Sequence, residues 1–243
     1  MDYRKILAAT VAVIGTVAMA ADGIVSSSVV GYNQTAATED TSILIGASFE
    51  AVGGGTFLPL SALTATPALE NDDQIQVAYT DEDGLTQFTI YIYDETDGWL
   101  DTENFEPCGD TFGLELGQSA WFISAGEPKK ITTAGAVKNS NAIRTFTEPS
   151  ALITSAFPVP FCPNSENVSW GVQNDDQIQT AYTDEDGLTQ FTIYIYDESD
   201  GWLDTENFEP LGATQSIVDT GIGFWLILQD ASSTFTEVSP LAE

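Results

Sequence analysis

Short runs rich in Thr, Val, Ile and aromatic residues alternate with Gly, Asp and Pro turns along most of the chain, and no stretch keeps a 3.6-residue apolar period for long. This is the pattern of antiparallel hairpins, so the expected fold class is all-β with β-sandwich-like packing. Only Leu58 to Leu69 has room for a helical turn, and only in the first half. The hairpin signal is strongest in "NDDQIQVAYTDEDGLTQFTIYIYDETDGWLDTENFEP", Asn71 to Pro107. With Asp83 and Gly84 as a two-residue loop, counting outward pairs Tyr79 with Phe88, Val77 with Ile90 and Ile75 with Ile92, all on one apolar face. The other face then pairs Ala78 with Thr89, Gln76 with Tyr91 and Gln74 with Tyr93. The same count from Asp97 and Gly98 sets Asp94 opposite Asp101, a like-charge pair that destabilises a strand unless a cation lies between.

The block recurs from Asn174 to Pro210 with two substitutions, Val77 against Thr180 and Thr96 against Ser199. Outside it the copies have drifted but still align. Phe49 falls on Phe157 and Trp121 on Trp225, and the second copy is five residues shorter around Gly53 to Gly55. Two homologous β-rich units in tandem are therefore expected, at 21–133 and 134–243, joined in the polar, small-residue stretch "TTAGAVKNSN".

The N-terminus changes the picture of where the chain works. Arg4 and Lys5 precede an apolar run from Ile6 to Val17, with small residues at Ala18 and Ala20, which predicts a secretory signal peptide at 1–20 and a secreted or cell-surface product. No later segment is long and apolar enough to span a bilayer. Without the signal the chain carries 36 acidic and 4 basic residues, which argues against nucleic acid and anionic membranes as partners. Cys108 and Cys162 would meet an oxidising compartment, where a disulfide between them is one outcome.

Candidate chemistry is sparse. The chain has no histidine, so Ser-His-Asp, Cys-His and histidine-metal sites are excluded, and the expectation is a protein that is not an enzyme. The acidic turns suggest calcium, with Asp81, Asp83, Asp94, Asp97 and Asp101 as oxygen ligands and Asp184, Asp186, Asp197, Asp200 and Asp204 in the second copy. The plainer reading of these aspartates is ordinary turn chemistry on a solvated face. A second candidate is a planar binding face of Gln74, Gln76, Tyr91, Tyr93 and Trp99, repeated as Gln177, Gln179, Tyr194, Tyr196 and Trp202, which would suit glycans or another protein. The plainer reading is that this face is covered by the unit's own second sheet.

The segments "SSSVVGY" (Ser26 to Tyr32), "FEAVGGG", "DQIQ", a Gly-Trp turn and "GQSAWF" occur in an order that resembles the secreted "SVVGY" tandem-repeat proteins of Kiritimatiellae, Lentisphaerae and Verrucomicrobia-type bacteria. The resemblance covers most of the first unit and, without the "GGG", most of the second. It implies secretion and a surface or matrix role, and transfers no functional residues. Two expectations follow: a self-associating matrix, filament or surface-layer component with cation-bridged acidic hairpins, or a carbohydrate-binding module using the Gln/Tyr/Trp face.

Overall fold

The computed structural model describes residues 19–20, 23–24, 29–35, 42–52, 55, 57–184, 186, 188–230 and 232–241, so the expected signal segment lies almost wholly outside the described residues. In chain order the first strands are β1 (Met19–Ala20), β2 (Gly23–Ile24), β3 (Val30–Thr35), β4 (Ser42–Gly46), β5 (Phe57–Pro59), β6 (Thr64–Thr66) and β7 (Gln74–Thr80). They continue as β8 (Thr86–Asp94), β9 (Gly98–Asp101), β10 (Gly113–Glu115), β11 (Ser119–Ile123) and β12 (Lys130–Ala136). The second copy supplies β13 (Ala142–Phe146), β14 (Ser150–Ile153), β15 (Val168–Trp170), β16 (Gln177–Thr183), β17 (Thr189–Asp197), β18 (Gly201–Asp204), β19 (Phe224–Ile227) and β20 (Ser233–Glu237). The all-β expectation holds: the helical turn in the Leu58 to Leu69 stretch is a single 3-10 turn at Leu60–Ala62.

Each copy builds the same pair of sheets. The first makes a five-stranded sheet in the order β4-β11-β7-β8-β9 and a three-stranded sheet β3-β12-β6; the second makes β14-β19-β16-β17-β18 and β13-β20-β15. One core cluster joins Ile45, Ile75, Tyr91, Trp99 and Phe122 of the first large sheet to Ile131 and Ala65 of its small sheet. The other joins Ile178, Trp202, Phe224 and Leu226 to Phe235, Val168 and Trp170. The junction expected after Thr133 falls inside β12, whose pairing with β3 continues to Ala136 and is extended by the Val137 amide on Val29 O (2.7 Å), so the connection between copies follows Val137. The small polar residues there read as a linker, but they alternate in burial as a half-buried strand does.

The duplicated hairpin forms, one residue away from the expected register. Thr80 faces Thr86, Ala78 faces Phe88, Gln76 faces Ile90 and Ile75 faces Tyr91. The second copy repeats this, with Ile178 opposite Tyr194 and Gln179 opposite Ile193. A type I′ loop requires positive φ at both central residues, and in the first copy only Gly84 has it, at 77°. Asp81 instead opens a wider loop: its amide donates to Leu85 O (2.9 Å), and its Oδ1 accepts from the amides of Asp83 (3.0 Å) and Leu85 (2.9 Å). One slipped residue exchanges faces. Tyr91 therefore joins Ile75 and Val77 in the core, while Ile90 and Ile92 share the outer face with Gln74 and Gln76.

The second turn departs further and removes the charge clash. Asp94 pairs with Gly98 and Tyr93 with Trp99, while Asp101 lies opposite Tyr91. Gly98 takes a φ of 79°, and Asp94 Oδ1 accepts the amides of Thr96 (2.8 Å) and Asp97 (3.0 Å). This register buries Trp99 and Trp202 almost completely. An aromatic side chain withdraws about 150–250 Å² from water, which outweighs the preference for a tight two-residue loop.

The two large sheets meet through contacts that are nearly symmetric. The amide of Gly46 donates to Gly221 O (2.8 Å), and the amide of Thr154, which aligns with Gly46, donates to Gly117 O (2.9 Å), which aligns with Gly221. Isolated bridges Ile45 to Ile222 and Ile153 to Gln118 obey the same exchange. An approximate two-fold axis runs between them. A Cβ on Gly46 would stand 2.4 Å from the Thr154 side chain, and one on Gly223 would stand 1.7 Å from Ser119 Oγ. Each pair therefore has room for only one side chain. Nearby, Phe88 meets Trp225 edge-on at 6.3 Å and Thr86 Oγ1 lies 2.8 Å from Ser150 Oγ.

Two cations, Lys129 fully buried and Arg144 largely so, hold the ends of the small sheets. Arg144 stacks 4.6 Å over Phe235 and donates to Glu237 Oε2 (3.2 Å), Thr154 O (2.9 Å) and Gly117 O of the first copy. Burial pulls its guanidinium down to about 10 against the upward pull of Glu237. Lys129 Nζ, also buried, bonds Glu70 Oε1 (2.6 Å), Asp73 Oδ1 (3.1 Å) and Ser124 Oγ (2.9 Å). Desolvation opposes its charge, yet Glu70 and Asp73 together hold the ammonium above the ordinary lysine value.

Two predictions follow from this packing. Gly46→Thr overpacks the axis and should lower stability by about 1–3 kcal/mol, and Thr154→Gly in the same chain should recover most of that loss. Urea unfolding of the single and double variants checks it, and additive losses would contradict the shared site. Lys129→Met removes the ammonium beside buried Asp73, which keeps the amides of Glu70 (2.9 Å) and Ala125 (2.9 Å), with an expected loss of about 1–3 kcal/mol. Lys130→Met, at an exposed position, should change the urea midpoint little.

Candidate interaction surface

The slipped register decides where the expected binding residues lie. Tyr91 stacks on Phe112 at 4.2 Å, and Trp99 packs edge-on against Tyr93 at 5.4 Å inside the first core. Trp202 does the same with Tyr196 (5.4 Å) and Trp170 (5.2 Å), and Tyr194 packs against the second core cluster. Desolvation, with smaller contributions from Asp101 and Cys108, pushes the Tyr91 hydroxyl far above the usual tyrosine range. Gln74, Gln76, Gln177 and Gln179 stand on the opposite face, where Gln76 Nε2 donates to Gln74 Oε1 and Gln179 Nε2 to Gln177 Oε1, both at 3.1 Å. The structure therefore does not assemble the expected Gln/Tyr/Trp face: its glutamines and its aromatics are on opposite sides of the same sheet.

Six of the ten aspartates expected as calcium ligands, Asp81, Asp94, Asp101, Asp184, Asp197 and Asp204, turn a carboxylate oxygen onto the amides of their own turns. Asp81 also accepts Gln87 Nε2 (3.1 Å), and Asp184 repeats the pattern with the amides of Asp186 (3.0 Å) and Leu188 (2.9 Å) and with Gln190 Nε2 (2.9 Å). Asp197 caps the amides of Ser199 and Asp200, while Asp101 and Asp204 cap those of Glu103 and Glu206. Asp83, Asp97, Asp186 and Asp200 contribute loop amides to these caps. Among the described residues no group of three or more His, Cys, Asp or Glu side chains gathers as metal ligands would.

Both cysteines are free. Cys108 is buried in the first core with its thiol toward Trp99 O (3.4 Å), in the place Leu211 holds in the second copy. Cys162 lines a small cleft with Phe161 and Val238. The disulfide that the sequence left open is therefore not formed: Cys108 is packed into the first core, while Cys162 stands at the cleft of the second copy.

The surface offers a different set of residues. Tyr79, Leu85 and Phe105 are exposed, and so are their counterparts Tyr182, Leu188 and Phe208. Phe105 and Phe208 are 63% and 64% exposed with φ of 56°, a left-handed backbone that costs a bulky residue about 1–3 kcal/mol. The amide of Phe105 is held by Asp101 O at 2.7 Å, so the ring is presented on a fixed turn. An open groove of about 460 Å³ runs between the copies, lined by Tyr79, Thr80, Gln118, Ile143, Phe146 and Leu152. Sequence reasoning passed over these residues because an apolar residue next to an acidic turn reads as core.

No protein-family model matches the chain, and neither a curated protein nor a solved structure matches it. No helix among the described residues is long and apolar enough to cross a membrane.

The capping bonds have a measurable consequence. Backbone amide donors, that of Leu85 first for Asp81, that of Thr96 first for Asp94 and that of Leu188 first for Asp184, hold these three carboxylates below the ordinary aspartate value of 3.8. A depressed carboxylate stabilises the folded state above its unfolded pKa, and that contribution is lost as pH falls through the folded value. Carboxyl-carbon NMR titration should place the three midpoints below 3.8, with the turn amide shifts moving in step. Midpoints at or above the ordinary value would show that the caps are not formed.

Proposed function

We propose that the chain is a non-enzymatic, secreted structural protein that associates with copies of itself, as a matrix, filament or surface-layer component. One observation carries this reading. In a chain of net charge −31, the same exposed apolar side chains, Tyr79, Leu85 and Phe105, recur at Tyr182, Leu188 and Phe208 in a block copied almost verbatim. Core packing gives no reason to keep exposed apolar groups, whereas repeated contacts between molecules do. The signal-like N-terminus and the resemblance to secreted tandem-repeat proteins support an extracellular location. Cations enter this reading as general neutralisers of an acidic surface, or as calcium bridges between molecules. The glycan-binding alternative has lost its main support, since its glutamines and aromatics occupy opposite faces.

Sedimentation velocity of the chain without residues 1–20 tests the proposal. At an ionic strength of about 0.15 M, where charges more than about 8 Å apart are screened, species larger than a monomer should grow with protein concentration. They should shrink when the salt is removed. Calcium at matched ionic strength separates bridging from screening. A strict monomer at every concentration, salt level and calcium level would overturn the reading.

A further inference from the structure

The five- and three-stranded sheets of the two copies end in eight edge strands, and six of them are blunted; the strands of the remaining two-stranded sheets, β1-β2 and β10-β5, are only two or three residues long. Strands β9 and β18 are covered by the chain's own return, through bridges Leu100 to Pro107 and Leu203 to Pro210. Strands β4 and β14 are bridged to the other copy by Ile222 and Gln118. Strands β6 and β15 are three residues long, and Pro67 follows β6 directly. Short length, proline and covering segments are the usual protections of a sheet edge.

The remaining two edges, β3 and β13, occupy equivalent places in the two small sheets and, among the described residues, carry none of these protections. They are six and five residues long, "VGYNQT" and "AIRTF", with no acidic residue and no proline. The lone cation, Arg144, is turned inward onto Phe235. Their outward side chains include Val30, Tyr32 and Ile143, the last 69% exposed.

The backbone on these edges points outward in a regular row. Ala136 exchanges both of its amide bonds with Glu50 (2.8 and 2.9 Å) on the side of β12 away from β3. Alternate residues of β12 share that direction, so their partners Val30, Tyr32 and Gln34 turn N–H and C=O to the open side. Likewise Gly171 donates to Thr234 O (2.7 Å) and Val238 to Asn167 O (2.8 Å), which directs Thr234 and Thr236 toward β15. Their partners Ile143 and Thr145 then face outward. No turn or loop backbone group among the described residues bonds to any of these five residues.

Building on the self-association proposed above, we propose that β3 and β13 are the surfaces through which copies of this chain join, by edge-to-edge strand addition. A second copy is the occupant that the charge distribution favours. An acidic chain repels itself wherever carboxylates meet, and these two strips bring none to the contact. The main-chain row supplies the bonds, and Val30, Tyr32 and Ile143 supply the apolar cover. Because duplication gives each molecule two such edges, joining propagates beyond a dimer into an open chain of copies.

The test uses the chain without residues 1–20 at the salt concentration where the parent assembles. Tyr32→Pro and Ile143→Pro each remove one outward N–H while leaving the ladders to β12 and β20 intact. Each single variant should stop at dimers or monomers, and the double variant should sediment as a monomer. Tyr32→Glu with Ile143→Glu provides the same block through charge, and is read instead if circular dichroism shows that the proline variants have lost the fold. Leu85→Glu with Leu188→Glu, at the hairpin tips whose repeated contacts assist the joined copies, should weaken assembly without reducing it to the monomer. Folded edge variants that assemble like the parent, or tip variants that abolish assembly, would overturn the edge assignment and leave self-association standing. A parent that never assembles would overturn both.

Discussion

The close approach of the two copies at their shared axis leaves room for one side chain in each aligned pair. Gly46 and Thr154 align with each other and meet there, as do Ser119 and Gly223, and in both pairs a second Cβ would overlap its counterpart. The reciprocal amide bonds from Gly46 to Gly221 and from Thr154 to Gly117 depend on this close approach. Those bonds orient the large sheets and bring Phe88 to Trp225. They also bring the Arg144 guanidinium to Gly117 while Asn33 and Thr35 reach Thr220 and Gly221. Strands at the axis therefore had to diverge. The block from Asn71 to Pro107 lies mostly away from it and was free to remain the same in both copies.

The fold class and the existence of the hairpin were legible in the sequence because alternation and Asp-Gly turns are local signals. The register was not, because it depends on which of two neighbouring apolar sets the core accepts. Ile90 and Ile92 look like the better strand core, but Tyr91 and Trp99 bury more surface and have Phe112 and Tyr93 waiting as ring partners. The Asp81 carboxylate then makes the wider loop favourable by satisfying two amides that a tight turn would have arranged otherwise. A slip of one residue is small along the chain, yet it converts a binding face into a core. The same aspartates that suggested calcium prove to be the device that sets the slip.

Divergence also appears in how the copies neutralise an equivalent buried carboxylate. Asp73 meets Lys129, whereas Asp176, at the same place, accepts only the amides of Gln229 (2.6 Å) and Gln173 (2.9 Å) among the described residues. Alignment through the tryptophans puts Ser233 where Lys129 stands and Leu228 where Ser124 stands. Lysine and serine in one copy correspond to serine and leucine in the other, so the volume is redistributed while the charge is lost. The first copy acquires an ion lock through two long-range bonds from Lys129, to Glu70 and Asp73, and a local one to Ser124. The second relies on a richer aromatic cluster of Phe161, Trp170, Trp202, Phe224 and Phe235.

Charge and edges are two parts of one problem. A β protein assembled from short sheets has many edges, and an acidic surface protects most of them by repulsion without any structural device. That protection fails where a strand has no carboxylate, and in this chain the two such long edges are equivalent strands, β3 and β13. Had the edges been neglected by chance, covered and uncovered strands would have been distributed without regard to the repeat. Instead, among the described residues, each copy covers or shortens the same three edges of its five- and three-stranded sheets and leaves the same one open. Salt therefore acts on this molecule selectively: it relaxes the repulsion between acidic faces and leaves the hydrogen-bonding rows of the open edges unchanged. Ionic strength sets how closely two copies approach, and the two open rows set where they meet.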